Sequence, residues 1–409
     1  MKILVVTQYY FPEIGAASKR LTELSRLWKK QGHEVHVFTA IPNYPQGRIY
    51  AGYEENKSFV EEIEGITVFR NSVDLGGVGS KFSRIKSYLS FMMNSYKNIK
   101  KLPNDYDVVI TSTGPVFLGF MGQYISKRKK IPNILEFRDI TFKSLKATQY
   151  TNDVIINLIK KLELYFCKKA KHVITVTETY KNILVDNGIE IEKISTIPNG
   201  YLFDDSSGEN INTNSIDSIL EIINKERKKG KKVIGYFGTL GVSQKVEEVV
   251  EQFSKSNKYS VLIIGNGARE RKIIELAENS NSVHVFESIS SKEIQYLYSQ
   301  VDFNLIKILN DPAFSGTIPS KLFEVIGNKG VPLYIGPKGD AQEIMCSIND
   351  YLYYEDVNSM FHFLEKSSLE ELDNKQLKQR GKEILLSAYD RERHAEKYLG
   401  IMQRVKYEI

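Results

Sequence analysis

Lys321 and Glu324 stand three residues apart in the segment SGTIPSKLFEVIGNKGVPLYIG, residues 315–336, a spacing that puts both on one face of a helix. Leu322, Val325 and Ile326 supply the apolar face of the same helix. Pro319 suits a helix start, so the free amides from Gly316 to Lys321 would form an anion site that the helix dipole strengthens. A diphosphate fits such a site, with Lys321 neutralising a phosphate and Glu324 binding ribose hydroxyls. An ordinary helical salt bridge is the competing reading of the same spacing.

Other chemistry-bearing residues fall where strand-like runs end. The run NILEFRDITF puts Glu136, Arg138 and Asp139 together; Arg138 would neutralise a phosphate and Asp139 would act as a base or orient an acceptor hydroxyl. A structural Arg/Asp pair capping the loop competes evenly with that reading. In TQYYFPEIGAASKRL, Gly15 would let backbone amides approach an anionic or hydroxyl-rich ligand at a helix N-terminus. In GYFGTLGVSQK, Gly235, Gly238 and Gly241 permit close phosphate approach and Lys245 is a possible phosphate contact, against the plainer reading of a solvated lysine. VLIIGNGARERK offers Gly265 and Gly267 at a strand end, with Arg269 and Arg271 entering a helix; a simple tight turn explains these glycines about as well.

The elements that must position these residues follow a βαβ rhythm. Strands are predicted at 2–8, 34–40, 66–70, 107–113, 133–137 and 171–177, with helices near 16–31, 82–101 and 116–129. The polar stretch 204–218 reads as a linker. Beyond it the rhythm restarts, with strands at 232–238, 259–265, 282–288, 302–308 and 331–336. Runs this apolar are covered on both faces, as in parallel sheets. The pattern predicts an α/β chain of two Rossmann-like domains facing a cleft: 1–203, and 219–388 after the linker. Ligands belong at the carboxyl ends of the strands. A last helix, about 389–409, is expected to pack back on the first domain.

Composition narrows the function. The 409 residues exceed one ordinary core, and 42% hydrophobic with 26% charged residues describes a globular chain. A formal net charge of +6 argues against a nucleic-acid coat. Cys167 and Cys346 lack partners at metal-ligand spacing, so no metal is expected and a reduced cytosol fits. No leader or membrane-spanning run is read, so membrane contact would be peripheral. The segment 81–101 mixes Lys and Arg with Phe, Leu, Met and Tyr, as a helix lying on anionic lipid does; a core helix with solvated lysines weighs equally.

In chain order the motifs FPEIG, RLTELSRLWKKQGHEVHVFT, PNYPQGRIY, EFRD, IPNG, FGTLG, IGNGARER and PSKLFEVI with GVPL resemble glycosyltransferase family 4, most of all its branch building bacterial surface polysaccharides, including fucosamine-transferase-like enzymes. The resemblance implies the GT-B fold and retaining, metal-independent transfer from a nucleotide-sugar co-substrate, usually UDP-linked, to a glycan or lipid-linked acceptor, with no further cofactor. It implies an acceptor-binding first domain and a donor-binding second one. Glu324 matches the second glutamate of the family's donor motif, whereas Gly316 stands in place of the first; amides of Ser315, Gly316 and Thr317 would then meet the donor sugar. Thr239 and Gln244 occupy the places of the usual phosphate cations, leaving that role to Lys321 or Lys245. A non-catalytic sugar-binding or accessory subunit is the alternative, and a nucleotide-sugar epimerase on the same architecture ranks below it.

Overall fold

The computed structural model describes residues 1–44, 47–75, 81–114, 116–148, 152–203, 213–242, 244–367 and 374–407. The chain divides into two compact units, Met1–Leu202 with Arg391–Ile409, and Phe203–Asp390. Of the stretch read as a linker, 204–212 lies outside the described residues. The rest is structured: Thr213–Ile216 is a 3-10 turn leading into helix Asp217–Lys228, whose Ile219 and Ile223 are buried. Within the stretch itself the polar composition hid one apolar anchor, the fully buried Ile216.

The first unit is built on eight strands: β1 Lys2–Val6, β2 Glu34–Ala40, β3 Phe59–Ile63, β4 Ile66–Asn71, β5 Val108–Thr113, β6 Asn133–Phe137, β7 His172–Thr175 and β8 Ile194–Thr196. Their order is β3-β4-β2-β1-β5-β6-β7-β8, parallel throughout except where β3 runs antiparallel to β4. Side chains alternate between the two faces. Ile3, Val5 and Ile134 face helix Ala16–Lys30 and the C-terminal helix Arg391–Tyr407. Leu4 and Val6 join one cluster on the opposite face and Leu135 and Phe137 another; there lie helices Lys81–Asn98, Leu118–Lys129 and Asp153–Lys169. The predicted helix 82–101 ends as a 3-10 turn, Ile99–Lys101. Trp28, fully buried, donates from its indole nitrogen to the Ala395 carbonyl at 3.1 Å, which fixes the returning helix in this unit.

The second unit is a six-stranded parallel sheet: β9 Lys232–Phe237, β10 Tyr259–Ile264, β11 Val283–Phe286, β12 Phe303–Lys307, β13 Pro332–Ile335 and β14 Tyr353–Tyr354, in the order β11-β10-β9-β12-β13-β14. Register is regular, Tyr259 opposite Lys232 through Ile264 opposite Phe237. The carboxyl ends of β9 and β10 therefore lie side by side, which brings the two glycine loops together. The order reverses after β9, the arrangement that opens a ligand crevice at strand carboxyl ends.

Candidate functional site

In the second unit, helix Ser320–Gly327 starts directly after Pro319 with no side-chain cap. The Leu322 amide donates to the Pro319 carbonyl at 3.0 Å, and the amides of Ser320 and Lys321 ahead of it stand without a side-chain cap at the helix end that favours an anion. The Lys321 ammonium donates to the Phe237 carbonyl at the end of β9 and lies 6.0 Å from the centre of the Tyr236 ring. A Cβ placed on Gly238 would meet Lys321 Nζ at 1.7 Å, and Gly238 has φ +156°, so only glycine lets the lysine reach this loop. Burial pulls the Lys321 pKa below the ordinary lysine value, against the opposing pull of Glu324. A desolvated ammonium held by one neutral carbonyl is poised to gain from an arriving anion.

Among the described residues Lys321 and Glu324 form no ion pair, so the helical salt bridge is not made. Glu324 instead neighbours Tyr298, whose phenol is pushed up first by burial and then by that carboxylate. Three other expectations require correction. The amides of Ser315 and Thr317 are not open to a sugar: they donate to Pro312 O and Phe314 O at 3.2 and 2.9 Å, consumed by the 3-10 turn Pro312–Phe314. Gly316 between them is buried. Gly265 and Gly267 serve backbone packing rather than ligand approach, because their Cβ atoms would strike Gly238 O at 1.8 Å and Leu240 O at 2.5 Å. Lys245 is exposed and 3.8 Å from the Glu248 carboxylate, the solvated-lysine reading.

In the first unit Glu136 is the largest correction. Its parity on β6 matches Ile134, so it points between the helices Ala16–Lys30 and Arg391–Tyr407 and is fully buried. Its carboxylate pairs with Arg20 at 2.7 Å and accepts from Ser112 Oγ at 2.5 Å and from the Tyr398 hydroxyl. Burial raises its pKa, but Arg20 and Arg138 outweigh that and hold it below the ordinary value. Glu136 thus fastens the returning helix from a fully buried position beneath it, away from any ligand.

Arg138 and Asp139 stand beyond the strand end. Arg138 is half-buried, its Nε finds no hydrogen-bond partner among the described residues, and burial lowers its pKa. Asp139 is exposed. No ion pair joins the two among the described residues, so the capping pair is not formed. Gly15 is the extended residue before helix Ala16–Lys30, which lacks a side-chain cap, and a Cβ there would meet Tyr44 Cε1 at 2.8 Å. The space above that N-terminus holds the half-exposed Tyr44 ring, 5.0 Å from the ring of Tyr9.

The model of Glycosyltransferase Family 4 matches residues 17–201. The chain is 22% identical over 339 residues to WcaI of Escherichia coli K12, named for colanic acid biosynthesis, covering 81% of this chain and 82% of that one. Sucrose-phosphate synthase from Thermosynechococcus elongatus superposes with a TM-score of 0.72 at 11% identity, over 99% of each chain. HepE from Anabaena, solved with UDP, gives 0.67 at 12%, over 99% of this chain and 100% of that one. Residues 17–201 belong to glycosyltransferase family 4. The chain's two parallel-sheet units are those of the GT-B fold.

Two features of this transferase escaped motif reading. Lys307 ends β12 and is buried, donating to Gln244 O at 2.9 Å and pairing with Glu248 at 2.9 Å, so it ties the glycine loop after β9 to the sheet. A lysine inside the apolar run DFNLIKI was the available signal. Glu13 is buried and accepts from the amides of Tyr10, Asn43 and Tyr44 at 3.0, 2.8 and 2.9 Å, clamping the loops after β1 and β2; burial pushes its pKa up to about 7. No spacing in the sequence announces a carboxylate that serves only amides.

Proposed function

We propose that this transferase moves a sugar from a UDP-linked donor, with retention and without a metal ion, to a saccharide or lipid-linked saccharide acceptor in bacterial surface-polysaccharide synthesis, including capsule, at the cytoplasmic face of the membrane. The observation that carries the reading is the Lys321 ammonium, desolvated at Gly238 beside the uncapped start of helix Ser320–Gly327, with Glu324 one turn on. Lys321 and the first-turn amides take the charge that grows on the leaving diphosphate, an interaction stronger in the transition state than in the ground state. Glu324 accepts from the ribose hydroxyls. HepE was solved with UDP and WcaI is named for colanic acid biosynthesis, which supports the donor and the setting.

The second unit binds the donor and the first the acceptor on this reading, with Gly15 admitting a hydroxyl-rich ligand, Arg138 opposing negative charge and Asp139 orienting the attacking hydroxyl. No described helix is long and apolar enough to cross a membrane, and helix Lys81–Asn98 would meet an anionic surface from outside. Ligand binding to the native state raises thermal stability, so a nucleotide and nucleotide-sugar panel is the test. Selective stabilisation by UDP and a UDP-sugar, lost in Lys321→Ala and followed by donor turnover, is expected. Silence toward every nucleotide would favour a non-catalytic accessory subunit, consistent with Thr239, Gln244 and Gly316 at positions where cations and a glutamate are expected.

A further inference from the structure

We propose that Glu163 is a positioning residue for the transfer: from inside helix Asp153–Lys169 its carboxylate caps the start of helix Thr141–Thr148 and so fixes where Asp139 stands. The proposal rests on the role given above to Asp139 in orienting the attacking hydroxyl.

Helix Thr141–Thr148 begins two residues after Asp139. Its first backbone bonds run from the Lys143 and Ser144 amides to the Ile140 carbonyl, at 3.1 and 3.2 Å. Ile140 therefore stands at the N-cap, and the amides of Thr141 and Phe142 precede any partner within the helix. Serine, threonine, aspartate or asparagine at that place would close them locally, whereas an isoleucine side chain has no acceptor to offer. Glu163 supplies the acceptors from the neighbouring helix. Its Oε1 accepts from the Thr141 amide at 3.2 Å and its Oε2 from the Phe142 amide at 3.4 Å, and the Thr141 hydroxyl donates to the same carboxylate.

The two helices that follow in this unit are capped locally. Asn152 accepts from the Val154 amide at the start of Asp153–Lys169, and Thr177 accepts from the Tyr180 amide at the start of helix Glu178–Asp186. At Thr141 the chain instead sinks a carboxylate to 2% exposure, which costs desolvation free energy. What it gains is a tie between two helices at the turn next to Asp139.

Ile140 and Phe142 are buried in one core cluster with Ile156 and Phe166 of helix Asp153–Lys169. Those apolar contacts hold the segment against its neighbour but have no direction of their own. Hydrogen bonds do, because they weaken steeply away from a narrow range of distance and angle, so the Glu163 carboxylate sets the register of the turn. Asp139, exposed, is joined to that turn through Ile140 alone. Burial pushes the Glu163 pKa up to about 7, and the nearby Asp139 carboxylate adds to the rise. Misplacing an orienting group by about 1 Å costs about 10²-fold in rate.

The test joins hydrogen exchange to turnover of the full chain, read as UDP release from UDP-glucose, UDP-galactose and their two N-acetylhexosamine counterparts. Glu163→Ala should speed exchange across residues 138–144 about tenfold and lower kcat about 10²-fold. The donor KM should stay within about twofold, because on this reading the other unit holds the donor. Glu163→Gln keeps the length and one acceptor oxygen and should recover about tenfold of the lost kcat. Should Glu163→Ala fail to fold, Glu163→Gln carries the test, with a lowered kcat at constant KM supporting the proposal and wild-type kcat overturning it. Ile156→Ala, two turns earlier on the same helix face, hollows the packing without touching either amide and should leave kcat within about twofold. Wild-type exchange or wild-type kcat in Glu163→Ala, or an equal kcat loss in Ile156→Ala, would overturn the proposal and leave Glu163 a cap that serves stability alone. A wild-type chain that releases UDP from none of the four donors removes the transfer reading, and the tasks of Asp139 and Glu163 with it.

Discussion

The EFRD segment of the first unit and the PSKLFE segment of the second both place a glutamate near cations, and the fold uses them in opposite ways. Glu136 is turned by strand parity into the space beneath the C-terminal helix, where Arg20, Ser112 and Tyr398 all hold it. Lys321 is lifted by a helix start onto a glycine loop, where a single carbonyl receives it. A buried charge with its full set of partners holds structure; a desolvated charge short of partners is one that a ligand can complete.

Removing each charge should separate the two roles. Glu136→Ala leaves Arg20 buried without a counter-charge and should cost about 3–5 kcal/mol of stability, read as a shift in the urea midpoint. Lys321→Ala removes a desolvated ammonium and should leave that midpoint nearly unchanged while lowering UDP-sugar turnover by about 10²–10³-fold. Equal stability losses in both variants would erase the distinction.

The comparison sharpens with pH, because the buried carboxylates differ in what they face. Glu136 faces a cation and is held below its ordinary value, so its contribution is lost only as acid protonates it. Glu13 and Glu163 face amides, and burial pushes each to about 7 from an ordinary 4.5. Between those values the folded chain binds more protons than the unfolded one, so stability falls as pH rises through the window, by up to about 1.4 kcal/mol per unit for each group. Urea titrations near pH 5 and pH 8 should show the first unit weaker at the higher pH. Glu163→Gln should flatten that dependence, and an unchanged slope would mean Glu163 is ionised throughout.

The strands were legible because two-sided burial writes itself as apolar runs; β2 and β6 match their expected bounds residue for residue. The strands that escaped, β3, β8 and β14, are edge strands, short or polar, where one free side relaxes the apolar demand. That Lys321 and Glu324 share one helix was legible because helical spacing is local. Glu136 was not, since its partners Arg20 and Tyr398 are distant in sequence and only the sheet's parity brings them to it. The same limit concealed Lys307, which serves a loop far upstream of its own strand.

Lys245 and Lys307 give the smallest and most local form of the comparison, since both approach Glu248. Lys245 does so from solvent at 3.8 Å, where screening and side-chain freedom leave an ion pair worth little. Lys307 does so from inside, at 2.9 Å, with the Gln244 carbonyl as its second acceptor. Lys245→Ala should therefore change stability by less than about 0.5 kcal/mol and turnover by no more than about twofold, a factor equivalent to less than half a kcal/mol. Lys307→Met should loosen the loop that carries Gly238 and raise the UDP concentration needed for thermal stabilisation. If Lys245→Ala instead lowers turnover as much as Lys321→Ala does, the exposed lysine is a phosphate ligand and the loop after β9 closes on the donor when it binds.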